Sequence, residues 1–321
     1  MSNKITGATA LINLDYDLMH QAGIHWLRHG CNGFPLEADL NTPTESVKRS
    51  KALAEEYRQA GFSLMGSTPG PGSYRYSEEK QATVWSNGIP EVFGSWEEDR
   101  YYDAVETACS VEGIERVRLG SLEPDALSEE VVRRLAAQPR LCPQFHLALQ
   151  SGCDATLRRM NRHYDTAAYR RIAGRLREAF PGCALTTDVM VGFPGEDEEE
   201  FAQSLAFVEA VGFSRLHVFA YSRRPGTPAA KAPGQLSAAV KAERSRRMTA
   251  LGDRLRDAYA AAQVGSTAAV LLETRREDGL AEGYAPNYLP VRVRTARPLG
   301  SCLNVRITGH ENGVCLGEEA D

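Results

Sequence analysis

The chain reads as an α/β protein: βα units in series, forming a partial or composite six-strand βα barrel, followed by a small antiparallel β-barrel. Three observations predict this. Short apolar, β-rich runs alternate with helical stretches from residue 23 to residue 221, six strands in all, and such alternation builds a parallel sheet. Residues 186–201, TTDVMVGFPGEDEEEF, hold a strand, a Gly-rich turn and the acidic first turn of a helix in one piece. Beyond residue 264, short β-runs stand between Gly and Pro turns, the pattern of a small barrel of antiparallel strands.

Taken in order, residues 10–14 suggest a short strand and 17–22 a short helix. Residues 23–29, GIHWLRH, form the first strand of the series, with His25, Leu27 and His29 on one face. Two histidines so spaced can ligate a metal, but no acidic or Cys partner lies nearby, and a solvated or hydrogen-bonded pair is the plainer reading. A helix spans 44–60, with Val47, Leu53, Ala54 and Tyr57 on its apolar side. A strand follows at 61–66. Residues 67–94, rich in Pro, Gly, Ser and aromatics, read as a loop, either a lid or a linker. A helix at 95–110 opens on Ser95. Strands are then expected at 116–120, 145–149, 186–191 and 215–221, with helices at 128–137 and 166–179, the latter capped by Asp165. In the turn Gly192-Phe193-Pro194-Gly195, two glycines are free to take positive φ and a proline cannot continue a ladder. Residues 196–200 then begin a helix. A long charged helix covers 236–263, and β-runs fall at 268–273, 289–293 and 302–307.

Composition narrows the function. At 321 residues and 42% hydrophobic the chain can bury a large core. No apolar run reaches the length of a membrane span and the first ten residues are no signal peptide, so a cytoplasmic setting is expected. Seven scattered cysteines (Cys31, Cys109, Cys142, Cys153, Cys183, Cys302 and Cys315) are not a disulfide framework. Residues 1–112 carry 9 Lys and Arg against 16 Asp and Glu, the remainder 28 against 26. A polyanionic partner would therefore meet the rear of the chain. There is no G-x-S-x-G elbow, no P-loop and no H-E-x-x-H.

Four runs carry a resemblance: RVRLGSLEP (116–124), LCPQFHLALQSGCDATLRRMNRHY (141–164), the 186–201 segment, and FSRLHVFAYSRRPGTPAA (213–230). From about residue 113 onward the chain resembles the radical SAM methylthiotransferases of tRNA, and within them the branch acting on threonylcarbamoyladenosine. EGYAPNYLPVRV (282–293) and the closing LGE (316–318) are similar to the TRAM domain, an OB-like RNA-binding barrel. Residues 1–112 depart from that family. They weakly resemble the opening βα units of a (β/α)8 glycoside hydrolase, in AGIHWLRHG, LAEEYRQAGFSLMG and IPEVFGSWEEDRYYDAVETAC, without its catalytic carboxylates. The expected domains are 1–112 (glycosidase-like units), 113–235 (strands three to six of a radical SAM-like TIM barrel), 236–263 (connecting helix) and 264–321 (TRAM-like barrel), with a junction near 109–113.

The resemblance implies S-adenosyl-L-methionine and a [4Fe-4S] cluster as cofactors, and tRNA as partner. The family's reaction is methylthio transfer to C2 of the modified adenosine beside the anticodon. The cluster needs three thiolates on one loop, and C-x-x-x-C-x-x-C is absent here. The expectation is thus a chain without that activity, with no catalytic or metal residue to nominate. A tRNA-binding module and a glycosidase remnant are the alternatives. By the same resemblance the cofactor pocket involves Ser121, Glu123, Gln150, Ser151, Asp188, Gly192, Phe193, Pro194, Gly195, Tyr221, Arg224 and Gly226. A carboxylate there would hold ribose hydroxyls, an Arg a carboxylate, and glycine amides the adenosyl group. Asp188 could equally serve as a cap, and Gly226 as a simple turn. Candidate RNA contacts are Arg275, Arg276, Asn287, Tyr288, Arg292 and Arg294 in the barrel, with Arg297 and Arg306, Tyr288 acting by stacking. Lys241, Arg244, Arg246, Arg247, Arg254 and Arg256 on the long helix are a second set, against which a solvated face with interleaved carboxylates is the simpler alternative.

Overall fold

The computed structural model describes residues 114–320 without a break. It also describes 6–9, 24–30, 63–67, 74–77, 82–85 and the helical positions 52, 56, 59, 102, 105, 106 and 108–110. The expected strand at 10–14, the helix at 17–22, the Ser95 cap and Cys31 lie outside the described residues. The chain divides into two compact units, Met1–Arg100 with Thr274–Glu277, and Tyr101–Glu273 with Asp278–Asp321.

In the first unit, β1 (Thr6–Thr9), β2 (Ile24–Gly30) and β3 (Ser63–Ser67) form a parallel sheet in that order. The segment read as a loop contains a hairpin, β4 (Tyr74–Ser77) against β5 (Ala82–Trp85). Its Tyr, Thr, Val and Trp residues favour a pleated strand more than the flanking Gly and Ser oppose it.

The second unit begins at Tyr101, and described helical positions between 102 and 110 belong to its core. Tyr102, Val105 and Cys109 are buried there, and the Tyr102 hydroxyl donates to the Ala126 carbonyl at 2.7 Å. Four parallel strands follow, β6 (Ser121–Leu122), β7 (Gln144–Leu147), β8 (Ala184–Val191) and β9 (Arg215–Ala220), in that spatial order. The helices are α1 (Glu129–Ala136), α2 (Asp154–Arg159), α3 (Thr166–Ala179), α4 (Glu198–Val211), the single turn α5 (Pro228–Lys231) and the long α6 (Ala238–Ala261). Among the described residues the strands expected in one barrel stand in two sheets: β2 and β3 form one together with β1, which the series did not include, and β6 to β9 form the other.

Local chemistry explains the smaller departures. Strand 116–120 reduces to a single bridge between Val117 and Leu141, since the flanking Arg116 and Arg118 reach away to other partners, and pairing starts at Ser121. Strand 145–149 leaves the ladder after Leu147, where the Tyr164 hydroxyl takes the carbonyls of Ala148 and Leu149. Asp165 caps α3 as expected, accepting from Ala168 N at 2.7 Å. Asp197 caps α4, so Glu196 lies ahead of the helix rather than in its first turn, and points inward.

The odd positions of β7 and β8 (Phe145, Leu147, Leu185, Val189, Val191) pack with Leu135, Tyr169, Leu176, Phe201 and Phe213 in one core. Gln144, His146, Thr186 and Asp188 alternate with them and occupy the opposite face.

The rear barrel is closed, in the order β10-β11-β12-β14-β13. Its strands are β10 (Thr267–Arg275), β11 (Ala281–Tyr284), β12 (Pro290–Val293), β13 (Cys302–Glu311) and β14 (Val314–Glu319). One pair, β12 with β14, is parallel, which corrects the expectation of a wholly antiparallel barrel. Val270, Leu272, Val291, Val293, Leu303, Val305 and Ile307 fill it. No helix of the described residues is long and apolar enough to cross a membrane.

Candidate functional site

The carboxyl ends of β7 and β8 meet at Gln150. Its amide donates to the Asp188 carbonyl at 2.9 Å, and its own carbonyl accepts from Met190 N at 2.8 Å. Gln150 holds φ 66°, a left-handed backbone that a residue with a Cβ adopts only at a cost. Ser151 is 1% exposed and its hydroxyl accepts from Cys153 N, so it turns the chain into α2.

The Gly-rich turn proves to be occupied by its own chain. Gly192 (φ 72°) donates its amide to Glu196 Oε1 at 2.9 Å, and Gly195 donates to the Gly234 carbonyl at 2.9 Å. Arg244 of α6 donates to Glu196 Oε1 at 2.6 Å and to the Glu196 carbonyl at 3.0 Å, both side chains being almost fully buried. Burial pushes the Glu196 carboxyl up, against the pull of the Gly192 amide and of Arg244. A Cβ on Gly192 would run into the Lys241 side chain, whose Nζ donates to the Tyr221 carbonyl at 3.0 Å. Phe193 and Pro194 are buried, Phe193 edge-on to Tyr221 at 5.3 Å. The turn is therefore a latch for α6, and the Gly192 and Gly195 amides are spent. The Tyr221 hydroxyl is buried without a hydrogen-bond partner. Arg224 and Gly226 (φ 87°) lie in an exposed turn, where the Arg224 carbonyl accepts from Thr227. Ser121 is exposed, and Glu123 pairs with Arg162 at 3.3 Å.

On the polar face of the sheet, Asp188 Oδ1 stands 3.4 Å from His146 Nε2, and the His146 and His217 rings are 5.8 Å apart. Burial, with Arg215 nearby, holds His217 below the usual imidazole range. His146 Nδ1 lies 3.0 Å from Thr186 Oγ1, and Gln144 Nε2 donates to the same oxygen at 3.3 Å. Arg118 Nη1 donates to Gln144 Oε1 at 3.0 Å. None of these but Asp188 was nominated from sequence. The alternation of Gln144 and His146 with Phe145 and Leu147 was the available signal.

Arg118 also meets the rear barrel, donating to the Pro286 carbonyl at 3.1 Å and lying over the Tyr288 ring at 4.6 Å. Tyr288 (φ 63°) stacks on Tyr284, centroids 4.7 Å apart at 18°. Two groups stacked this closely on one ring leave it little free face, although the residue is 46% exposed. Stacking of a base on Tyr288 would have to displace one of them. Asn287, half-buried, donates to the Tyr259 hydroxyl at 2.9 Å, tying the barrel to α6. Arg292 pairs with Glu282 at 2.8 Å. Arg275 ends β10 and Arg276 follows it, and both already have partners. Arg297 has one too, while Arg294 and Arg306 are exposed. On α6, Arg246 pairs with Glu243, Arg247 with Glu198, Arg254 with Glu209 and Arg256 with Asp253. These matched charges make α6 a solvated ion-paired face rather than a cationic stripe.

A [4Fe-4S] cluster needs converging thiolates. Among the described residues the cysteines lie on separate segments: Cys109 among the helical positions ahead of 114, Cys142 ahead of β7, Cys153 before α2, Cys183 ahead of β8, Cys302 in β13 and Cys315 in β14. Burial pushes the Cys109, Cys142 and Cys302 thiols up, and those of Cys183 and Cys315 to about 11. No three ligating side chains converge among the described residues. This donor set does not fit the cluster.

Residues 77–208 match the radical SAM superfamily. A tRNA-2-methylthio-N(6)-dimethylallyladenosine synthase of Mycobacterium sp. (strain MCS) is 46% identical over 168 residues, 52% of this chain and 32% of that protein. The threonylcarbamoyladenosine tRNA methylthiotransferase MtaB of Bacillus subtilis (strain 168) is 37% identical over 202 residues, 61% of this chain and 45% of that protein. The chain thus spans between a third and a half of the length of these relatives. Among solved structures, the radical SAM enzyme coproporphyrinogen III oxidase (HemN) of Escherichia coli covers 79% of this chain at 14% identity with a TM-score of 0.42.

Proposed function

We propose that this chain, whose residues 77–208 match the radical SAM superfamily and whose second half is related to a segment of the tRNA methylthiotransferases, is a methylthiotransferase-type protein that engages tRNA but does not carry out radical chemistry. The parent reaction is methylthio transfer to C2 of a threonylcarbamoyl-modified adenosine beside the anticodon. Both that branch and the dimethylallyl branch occur among the relatives, and the former, which the motif runs of the second half resemble, is the one proposed. The single observation carrying the proposal is the absence of C-x-x-x-C-x-x-C from a chain about three fifths of which aligns with a tRNA-modifying enzyme. Within the second unit, the four-strand sheet would retain part of the adenosyl site, with Gln150 and Asp188 as its ligands. The closed barrel of 264–321, as a TRAM-like domain, would meet the RNA backbone through Arg294 and Arg306.

Iron and labile sulfide after anaerobic reconstitution test the negative half. The expected result is none, and about four of each per chain would overturn it. Fluorescence anisotropy with unmodified tRNA tests the positive half. Affinity should fall steeply with salt, and Arg294→Glu should weaken it several-fold. A chain that ignores tRNA at low salt would end the proposal.

A further inference from the structure

Building on Asp188 as a ligand-holding carboxylate, we infer that a directed hydrogen-bond relay from Arg118 through Gln144, Thr186 and His146 fixes the tautomer of His146 and thereby positions Asp188. The relay's direction follows from donor chemistry. A guanidinium has donors only, so the group of Gln144 facing Arg118 at 3.0 Å is its carbonyl oxygen. The Gln144 amide nitrogen must then face Thr186, where it donates at 3.3 Å. Thr186 Oγ1 accepts that bond, and its own proton is free to go to His146 Nδ1 at 3.0 Å. In its neutral form His146 therefore carries its proton on Nε2, the nitrogen 3.4 Å from Asp188 Oδ1. The opposite tautomer would set a nitrogen lone pair against a carboxylate.

Each link is short of alternatives. Gln144 is 7% exposed and Thr186 also 7%, so water does not readily replace either partner. Arg118 cannot swing away freely, since its second nitrogen donates to the Pro286 carbonyl and its plane lies over Tyr288. The end of the relay leaves Asp188 Oδ2 for a ligand hydroxyl, with the carboxylate held in one orientation. His146, Thr186, Gln144 and Arg118 are positioning residues in this scheme, and none of them touches the ligand.

The test reads protonation directly and needs no cofactor. Long-range proton–nitrogen spectra of the full chain, labelled with nitrogen-15 histidine, are recorded at a pH of about 8, above the ordinary imidazole range. The His146 signal is assigned by its loss in His146→Asn. The expected spectrum shows a pyridine-like Nδ1 and a pyrrole-like Nε2 for His146. Gln144→Glu has nearly the same shape but no donor, so Thr186 would turn its proton to the introduced carboxylate and accept from His146. Thr186 and Asp188 then ask for opposite tautomers, so that variant should replace the single wild-type pattern by exchange between forms. A wild-type His146 protonated on Nδ1 or exchanging between forms would overturn the relay, as would an unchanged pattern in a folded Gln144→Glu. If that variant does not fold, the wild-type spectrum still decides. Binding of S-adenosylhomocysteine by calorimetry is measured separately. Its failure would remove the adenosyl reading of Asp188 while leaving the tautomer result intact.

Discussion

Arg244 and Glu196 show how much one buried pair can determine. Their side chains are 5% and 2% exposed, and they join α6 to the Gly-rich turn. Removing one partner strands a charge, so Arg244→Met should cost about 3–5 kcal/mol in urea unfolding followed by circular dichroism. The double change Arg244→Met with Glu196→Leu should cost clearly less than the sum of the two single changes. A second residue-level effect is pH-dependent. Arg134 donates two parallel bonds to Glu106 and holds its carboxyl below the usual range. A depressed carboxyl stabilises the fold above the unfolded glutamate value of about 4.3, and that contribution is lost as pH falls through the lower folded value. Glu106→Gln should flatten this acid limb by under about 1 kcal/mol, read as unfolding midpoint against pH. Sequence spacing alone could reveal neither pair. Arg244 lies 48 residues from Glu196 and Arg134 28 from Glu106, and only the fold brings them together.

At the level of elements, capping residues and apolar alternation were readable, and crossings were not. Asp165 sits where a helix start was expected, because a short acceptor ahead of an apolar repeat has few other uses. The strands β11 and β14 escaped notice because each carries a glycine, which weakens strand propensity. The structure shows the reason for those glycines. A Cβ on Gly283 would overlap the Leu271 carbonyl, and one on Gly317 would stand 2.6 Å from the Arg306 carbonyl oxygen. Gly283→Ala should therefore open the barrel, seen as loss of β signal and of tRNA affinity together, whereas Gly174→Ala, in open space on α3, should leave both unchanged. Asp197→Ala should cost about 1 kcal/mol by unpairing the first turn of α4.

For the molecule as a whole, the long motif runs pointed to the second unit, whereas Tyr102, Val105 and Cys109 join its core by packing and by contacts distant in sequence, which no motif announces. Tyr102→Ala should cost about 3–5 kcal/mol, far more than a residue in a linker would. The polar relay was illegible for a related reason: its links span 26 to 42 residues, and only the fold brings them together. Closure of the rear barrel has a further consequence, for synthesis. β14 is bonded to β12 on one side and to β13 on the other, so nothing before Glu319 can seal the barrel. A chain made from its amino end delivers the four-strand sheet and its helices before the barrel strands. Until β14 emerges from the ribosome, the edges of β12 and β13 stand open to neighbouring nascent chains, and that interval is when this protein most needs a chaperone.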